Sequence, residues 1–225
     1  MPIRLNKFIA SNTGLSRRKA DESISSGSVT VNGRVAELGQ FVKSGDIVKV
    51  DGALVSAISK QLILFNKPVG YVCSRNGQGS KTIYDLLPDE LHQLKTIGRL
   101  DKESSGLLLL TNDGDLANRL SHPRYSKTKV YLIELDKSLQ PLNQQMVSDI
   151  GVTLDDGLSK LSLERINHQR TKWKVTMSEG RNRQIRRTFD ALGYTVKDLH
   201  RLSVGNYSIE SIPIDQLYLI IDHQE

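Results

Sequence analysis

The sequence predicts an α+β protein in two parts: a small basic module over residues 1–58, and a larger domain over 59–225 with a mixed, mostly antiparallel sheet flanked by helices. Three observations carry this. Strand-like and helix-like segments follow one another without the strict alternation of a parallel α/β sheet. Thr128–Leu135 and Lys172–Met177 alternate apolar and polar residues, as strands with one buried face do. Ser56-Ala-Ile-Ser-Lys60 is small and polar, and reads as a connector between the parts.

Composition narrows the class. Of 225 residues, 38% are hydrophobic and 25% charged, as in an ordinary globular protein. The net charge is +6, with eight basic and five acidic side chains in 1–58 against 23 and 20 in the rest. The module is therefore the more basic part per residue, which points to a polyanionic partner, most often nucleic acid. Cys73 is the single cysteine, so an internal disulfide is excluded. Met1-Pro-Ile-Arg-Leu-Asn-Lys7 lacks the apolar stretch of a signal peptide, and no apolar window approaches a membrane span. The expected compartment is the cytoplasm. His92, His122, His168, His200 and His223 are scattered without metal-ligand spacing, so no metal is expected.

In the module, Leu5, Phe8 and Ile9 at i, i+3, i+4 predict a helix over 4–11, ended at Asn12-Thr-Gly14. Ser16 is a favourable N-cap for a second helix, Arg17–Ser25, closed by Gly27. Val29–Val31 and Arg34–Ala36 are short strands joined by Asn32-Gly33, a strong hairpin signal. Asp46–Val50 is the last strand of the module. Arg17, Arg18 and Lys19 occupy the first turn of the second helix, where the helix dipole disfavours each cation by about 0.3–1 kcal/mol. A bound phosphate reverses the sign, because amides and basic side chains then converge on it.

In the larger domain, Leu62–Phe65 and Tyr71–Ser74 read as two strands around a Pro/Gly turn. Thr82–Leu87 is a short helix or turn stopped by Pro88. Arg99-Leu-Asp-Lys102 sets one carboxylate between two cations, directly before the apolar run Leu107–Leu110. A charged cluster at the lip of a buried strand suits an active site, because the buried part fixes the acid. Asn112-Asp-Gly114 is a turn, and Leu116, Ala117 and Leu120 predict a helix ending at His122-Pro123. Tyr131, Ile133 and Leu135 share one strand face, as do Trp173, Val175 and Met177. Ile185, Phe189 and Leu192 form a helical stripe stopped at Gly193, with further strands in 194–225, Leu217–Ile221 among them. Arg181, Arg183, Arg186 and Arg187 crowd the start of that helix, where repulsion and dipole both oppose them. An anion is expected nearby, either RNA phosphate or Asp101.

Two resemblances follow. Arg4–Ile9, Leu15-Ser-Arg-Arg-Lys-Ala20, Gly27–Gly33 and Gly45–Val50 resemble the alpha-L RNA-binding module, which implies binding to folded RNA through the basic second helix. Asn66-Lys-Pro-Val-Gly70, Gly98-Arg-Leu-Asp101, Ser104–Leu108, Lys129-Val-Tyr131 and Glu179–Arg187 are similar to the RsuA/RluB-type pseudouridine synthases of ribosomal RNA. That resemblance implies a pseudouridine synthase catalytic domain behind the RNA-binding module. The reaction it implies is isomerisation of a specific uridine in ribosomal RNA, by a monomer needing no metal or organic cofactor. It makes Asp101 the catalytic aspartate, Tyr131 the tyrosine that stacks on the uracil, and Arg186 the salt-bridge partner of Asp101. Whether Asp101 attacks covalently or removes a ribose proton stays open; either role needs an ionised carboxylate, which a neighbouring guanidinium favours. Arg99 is placed to support the flipped nucleotide or its phosphate, and Arg181, Arg183 and Arg187 to meet RNA. Lys67 and Pro68 match a structural motif.

Two other classes fit parts of the sequence. A non-catalytic rRNA-binding or ribosome assembly factor on the same scaffold is opposed by the intact Asp101, Tyr131 and Arg186. A glycosidase needs two carboxylates flanking the scissile bond, and Glu103, two residues from Asp101, is the only near candidate. The basic first turn generates a test. Replacing Arg17, Arg18 and Lys19 together by Ala weakens RNA binding and lowers the slope of log affinity against log salt by about two to three, read from filter-binding titrations. An unaltered slope contradicts the phosphate site.

Overall fold

A computed structural model describes residues 2–56 and 58–222; His223 and Ala57 of the connector lie outside the described residues. The module contains β1 (Ile3–Arg4), α1 (Leu5–Asn12), α2 (Arg17–Ser25), β2 (Val29–Val31), β3 (Arg34–Val35), β4 (Phe41–Val42), β5 (Val48–Val50) and β6 (Ala53–Leu54). The Ser16 hydroxyl accepts from Lys19 N at 3.1 Å, so the predicted cap of α2 is formed. Asn32 (φ 52°) and Gly33 (φ 80°) make the two-residue left-handed turn between β2 and β3. Leu5, Ile9, Ala20, Ile24, Val29, Val31 and Val48 close a small core of their own.

Two details of the module differ from expectation. Asp46 is in a turn rather than a strand, because its carboxylate accepts from Lys43 N at 2.7 Å and from the Asn32 side chain at 3.0 Å. Ile47 is 54% exposed and the strand begins at Val48. The two-residue strands β1 and β6 are too short to leave a period in the sequence; each exists through its partner, β4 and β5 respectively.

The larger domain runs β7 (Gln61–Lys67), β8 (Lys95–Ile97), β9 (Ser105–Thr111), α3 (Gly114–Ser121), β10 (Lys129–Leu135), α4 (Pro141–Gln145), β11 (Val152–Leu154), β12 (Gly157–Ser159), β13 (Ser162–Arg165), β14 (Lys172–Met177), α5 (Gln184–Asp190), β15 (Val196–Val204), β16 (Tyr207–Ser208) and β17 (Tyr218–Asp222). Its main sheet has the order β13-β14-β10-β15-β9-β7-β17, with β16 on β15 and β8 on β9. Among the described residues only the β15–β9 pairing of this sheet is parallel, so the sheet is mixed and mostly antiparallel. Tyr71–Ser74 is not a strand. The chain there makes a single bridge, Val72 to Thr82, because Lys67 already ends the ladder and Gly70 N turns to Lys102 O at 2.8 Å.

Leu62–Phe65 and Leu107–Leu110 are all essentially buried, because β7 and β9 are interior strands of the sheet with both faces covered. One face, with Phe65, Leu108, Tyr131, Ile133, Trp173 and Val175, packs under Ile185 and Phe189 of α5 and under the short 3-10 turn Ile83–Leu86. The other, with Leu62, Leu64, Leu107 and Leu109, packs under Leu116 and Leu120 of α3. Each buried aliphatic side chain contributes about 1.5–3 kcal/mol relative to exposure. Asp113 caps α3 by accepting from Asp115 N and Leu116 N at 2.8 and 3.2 Å. Lys7 of α1 pairs with Asp115 at 2.7 Å, and the Lys95 ammonium donates to Leu15 O at 2.9 Å, so the module is tied to the face that carries α3 and β8.

Gly106 sits where β9 meets β15 most closely. Its φ is +100°, and a Cβ there would lie 2.3 Å from Arg201 O and 2.5 Å from Arg201 N. Gly106→Ala is therefore expected to cost on the order of 3 kcal/mol, since backbone rather than a movable side chain must give way. Urea unfolding measures it; a loss under about 1 kcal/mol contradicts this packing.

Candidate active site

The loop from Gly98 to Ser104, between β8 and β9, carries Asp101 and is held at both ends. Leu100 is buried; its N–H donates to Cys73 Sγ at 3.4 Å, and the thiol donates back to Leu100 O at 3.3 Å. Ser104 N donates to Asp101 O at 3.1 Å, closing a turn around the acid. Below the turn Lys67, fully buried, donates to Ser104 O at 2.7 Å and Pro68 O at 3.0 Å. The Asp101 side chain stays 31% exposed and lines a cavity of about 500 Å³.

Tyr131 forms part of another wall of that cavity. It is 7% exposed on β10, opposite Val175 of β14 and Arg201 of β15, and is neighboured in the lining by Met177 and Leu199. Asp101 and Tyr131, 30 residues apart in sequence, thus share one space. Arg99 stands exposed on the rim and makes no hydrogen bond or ion pair among the described residues.

The arginine cluster departs from expectation. The helix begins at Gln184, so Arg181 and Arg183 precede it rather than filling its first turn. Arg183 adopts a left-handed conformation (φ 47°), which turns its guanidinium to Asp101 Oδ2 at 3.4 Å and Glu103 Oε2 at 3.0 Å. Arg186, the partner that the resemblance gives to Asp101, makes no ion pair with it. Its guanidinium donates to Val196 O, to Glu103 O at 3.2 Å and to Ser104 Oγ at 3.3 Å. It braces the backbone of the Asp101 loop, while Arg183 meets the charge. Arg181 and Arg187 both pair with Asp156 in the β11–β12 turn, at 2.8 and 2.7 Å. The anion expected beside them is therefore, for these two, a carboxylate of the chain itself. No ion pair joins Arg186 to Asp190 among the described residues.

Arg17, Arg18 and Lys19 are exposed on α2, have no ion-pair partner among the described residues, and do not line the cavity. They form a separate basic surface on the module. Glu103, the second acid a glycosidase would need, shares Arg183 with Asp101, and the Arg183 hydrogen bond holds its carboxyl below the usual carboxylate range. It does not line the cavity.

Sequence reasoning missed three cations around Asp101. Lys67, in a motif that the sequence marks only as structural, lies directly beneath the loop. Lys129 lines the cavity two residues from Tyr131 on the same strand face, and burial, with Arg201 nearby, pushes its ammonium pKa below the ordinary lysine value. Arg201, 3% exposed, faces inward from β15. Its signal was an arginine at an inward position of an alternating strand, two residues after Leu199. Among the described residues no group of three His, Cys, Asp or Glu could hold a metal ion, and no helix is long and apolar enough to cross a membrane.

Residues 61–191 match the family model for RNA pseudouridylate synthase, and residues 3–56 match the S4 domain. A protein of Aquifex aeolicus named an uncharacterized RNA pseudouridine synthase is 39% identical over 212 residues, covering 91% of this chain and 85% of that one. The chain belongs to the RNA pseudouridine synthase family. The ribosomal large subunit pseudouridine synthase B of Bacillus subtilis is 39% identical over 206 residues, covering 88% of this chain and 84% of that protein. The dual-specificity RNA pseudouridine synthase RluF of Escherichia coli is 36% identical over 219 residues, covering 95% and 74%. A crystal structure of a pseudouridylate synthase superposes with a TM-score of 0.68 at 32% identity, covering 97% of this chain and 96% of that one. The synthase is thus an isomerase with an S4 RNA-binding domain ahead of its catalytic domain. Chemically, its cavity offers a carboxylate at one wall, an aromatic face at another and cations at the rim. A single flipped base fits such a space.

Proposed function

We propose that this synthase converts a specific uridine of ribosomal RNA to pseudouridine, working as a cytoplasmic monomer without metal or organic cofactor. The RNA-binding module spans 1–58 and the catalytic domain 59–225. The observation that carries the reading is the meeting of Asp101 and Tyr131 in one cavity rimmed by Arg99 and Arg183. Relatives named for the large ribosomal subunit support the choice of RNA.

In this reading, the exposed α2 cations and Arg99 engage phosphates, and the target base leaves its stack at a cost of a few kcal/mol. Tyr131 receives the uracil face. Asp101, paired with Arg183, acts on the ribose while the base detaches at N1 and rejoins through C5. Arg186 acts through the loop backbone, holding the carboxylate in position. Arg181 and Arg187 hold the Asp156 turn beside the cavity and meet RNA only with the part of their charge that Asp156 leaves.

Mapping pseudouridines in ribosomal RNA from cells with and without the gene identifies the target. One site is expected to lose its pseudouridine and to regain it with the wild-type protein but not with Asp101→Asn. Glu103→Gln, which shares Arg183 but does not line the cavity, is expected to restore it. Restoration by Asp101→Asn, or equal failure of both variants, contradicts the assignment. Tyr131→Phe keeps the stacking face; full turnover confines the tyrosine to stacking, and loss of turnover with RNA binding intact gives its hydroxyl a chemical role.

A further inference from the structure

We propose that Arg201 is a further substrate-contacting residue. Its guanidinium donates to a carbonyl oxygen of the flipped uracil and holds the negative charge that gathers on the base when the C1′–N1 bond breaks. The inference rests on the pseudouridine synthase reading above.

Arg201 is the one arginine among the described residues that is buried, at 3% exposure. Its Nε donates to Leu107 O at 2.6 Å, which fixes the side chain against β9, while its Nη2 is buried and has no hydrogen-bond partner among the described residues. No carboxylate forms an ion pair with it among those residues. The groups that feel its charge include Lys67, Lys129 and Cys73, two of them cations. Its strand partner is Tyr131, and its Cζ lies 6.0 Å from the centre of that ring. Both side chains line the cavity that holds Asp101. The backbone of Arg201 is pressed against Gly106, so the strand beneath the guanidinium has no slack.

A buried guanidinium with an unmade hydrogen bond and no counter-ion is destabilising on its own. An acceptor that gains negative charge offsets this. RNA phosphates are met by the exposed cations, Arg99 among them; Arg201 is too deep and lies at the ring on which the base stacks. Uracil offers two carbonyl oxygens, O2 and O4, to a group that can only donate. Cytosine keeps O2 but places an amino donor where O4 stands, so a contact at O4 also favours uracil, whereas one at O2 does not discriminate. When C1′–N1 breaks, the bonding pair stays with the base as an anion shared over N1, O2 and O4. An electron pair of that anion forms the C5–C1′ bond; C5 then releases one proton and N1 takes one up, so the product is an isomer. A fixed cation in a dry wall stabilises that anion more than it stabilises the neutral nucleotide, and this difference lowers the barrier.

The test uses the full chain and a transcript carrying the mapped uridine, with single-turnover rates and RNA affinity measured separately. Arg201→Gln is expected to lower the rate about 100-fold, the scale of one lost oxyanion donor, with RNA affinity within about threefold of wild type. Transcripts with sulfur replacing O2 or O4 of the target uridine supply the second readout, because sulfur is a poor acceptor. One of them is expected to slow the wild type, and to slow Arg201→Gln no further. Arg201→Lys, which keeps the charge, carries the same comparison if the Gln variant does not fold. A rate within about threefold of wild type in these variants, or the same sulfur effect in wild type and variant, overturns the proposal. Failure of the wild type to form any pseudouridine overturns the family's reaction for this chain instead, and is told apart by that control.

Discussion

The buried Lys67 ammonium is the interaction on which the site depends. It ends β7 at the one place where the sheet core gives way to the Asp101 loop, and its two hydrogen bonds reach carbonyls on both sides of that junction. Burial pushes its pKa down, while Cys73, Asp101 and Glu103 pull the other way. A cation under the loop thus serves two ends. It satisfies carbonyls that would otherwise be buried without partners, and it sets positive potential beneath the Asp101 loop. The buried runs of β7 and β9 make the floor rigid, and the floor in turn fixes where Asp101 points.

Above that floor the arginines divide the work. Arg183 meets the charge of Asp101, Arg186 holds the loop's backbone, and Arg181 and Arg187 hold the β11–β12 turn through Asp156. Arg99 and the α2 cations are left on the surface without ion-pair partners among the described residues. A cluster that looks like one basic patch in sequence is therefore several separate devices in space. Electrostatic repulsion within it is relieved by carboxylates, Asp156, Glu103 and Asp101, rather than by solvent alone.

The elements that the sequence made legible are those whose signal is local. The Ser16 cap, the Asn32-Gly33 turn, the alternation of Tyr131, Ile133 and Leu135, and the buried Leu107–Leu110 run each state their own surroundings. What escaped was set by distant partners. Asp156 lies 25 residues before Arg181, and nothing near either one announces the pair. Arg183 takes the place expected of Arg186 because the helix starts three residues later than the charge pattern suggested, which is a matter of backbone dihedral rather than of residue type. Strand alternation marks Arg201 as inward, but its surroundings depend on the parallel crossing of β9 and β15, where it meets Leu107, 94 residues away in sequence.

The central claim is that Asp101 is held by its loop and by Arg183 in the same cavity as Tyr131 so as to act on a ribose. A crystal structure of the synthase with RNA bearing the target uridine tests it most directly. The account predicts the uracil against the Tyr131 ring and an Asp101 carboxylate oxygen within about 3.5 Å of C1′ or C2′. A base lodged outside the cavity, or a ribose out of reach of Asp101, contradicts it.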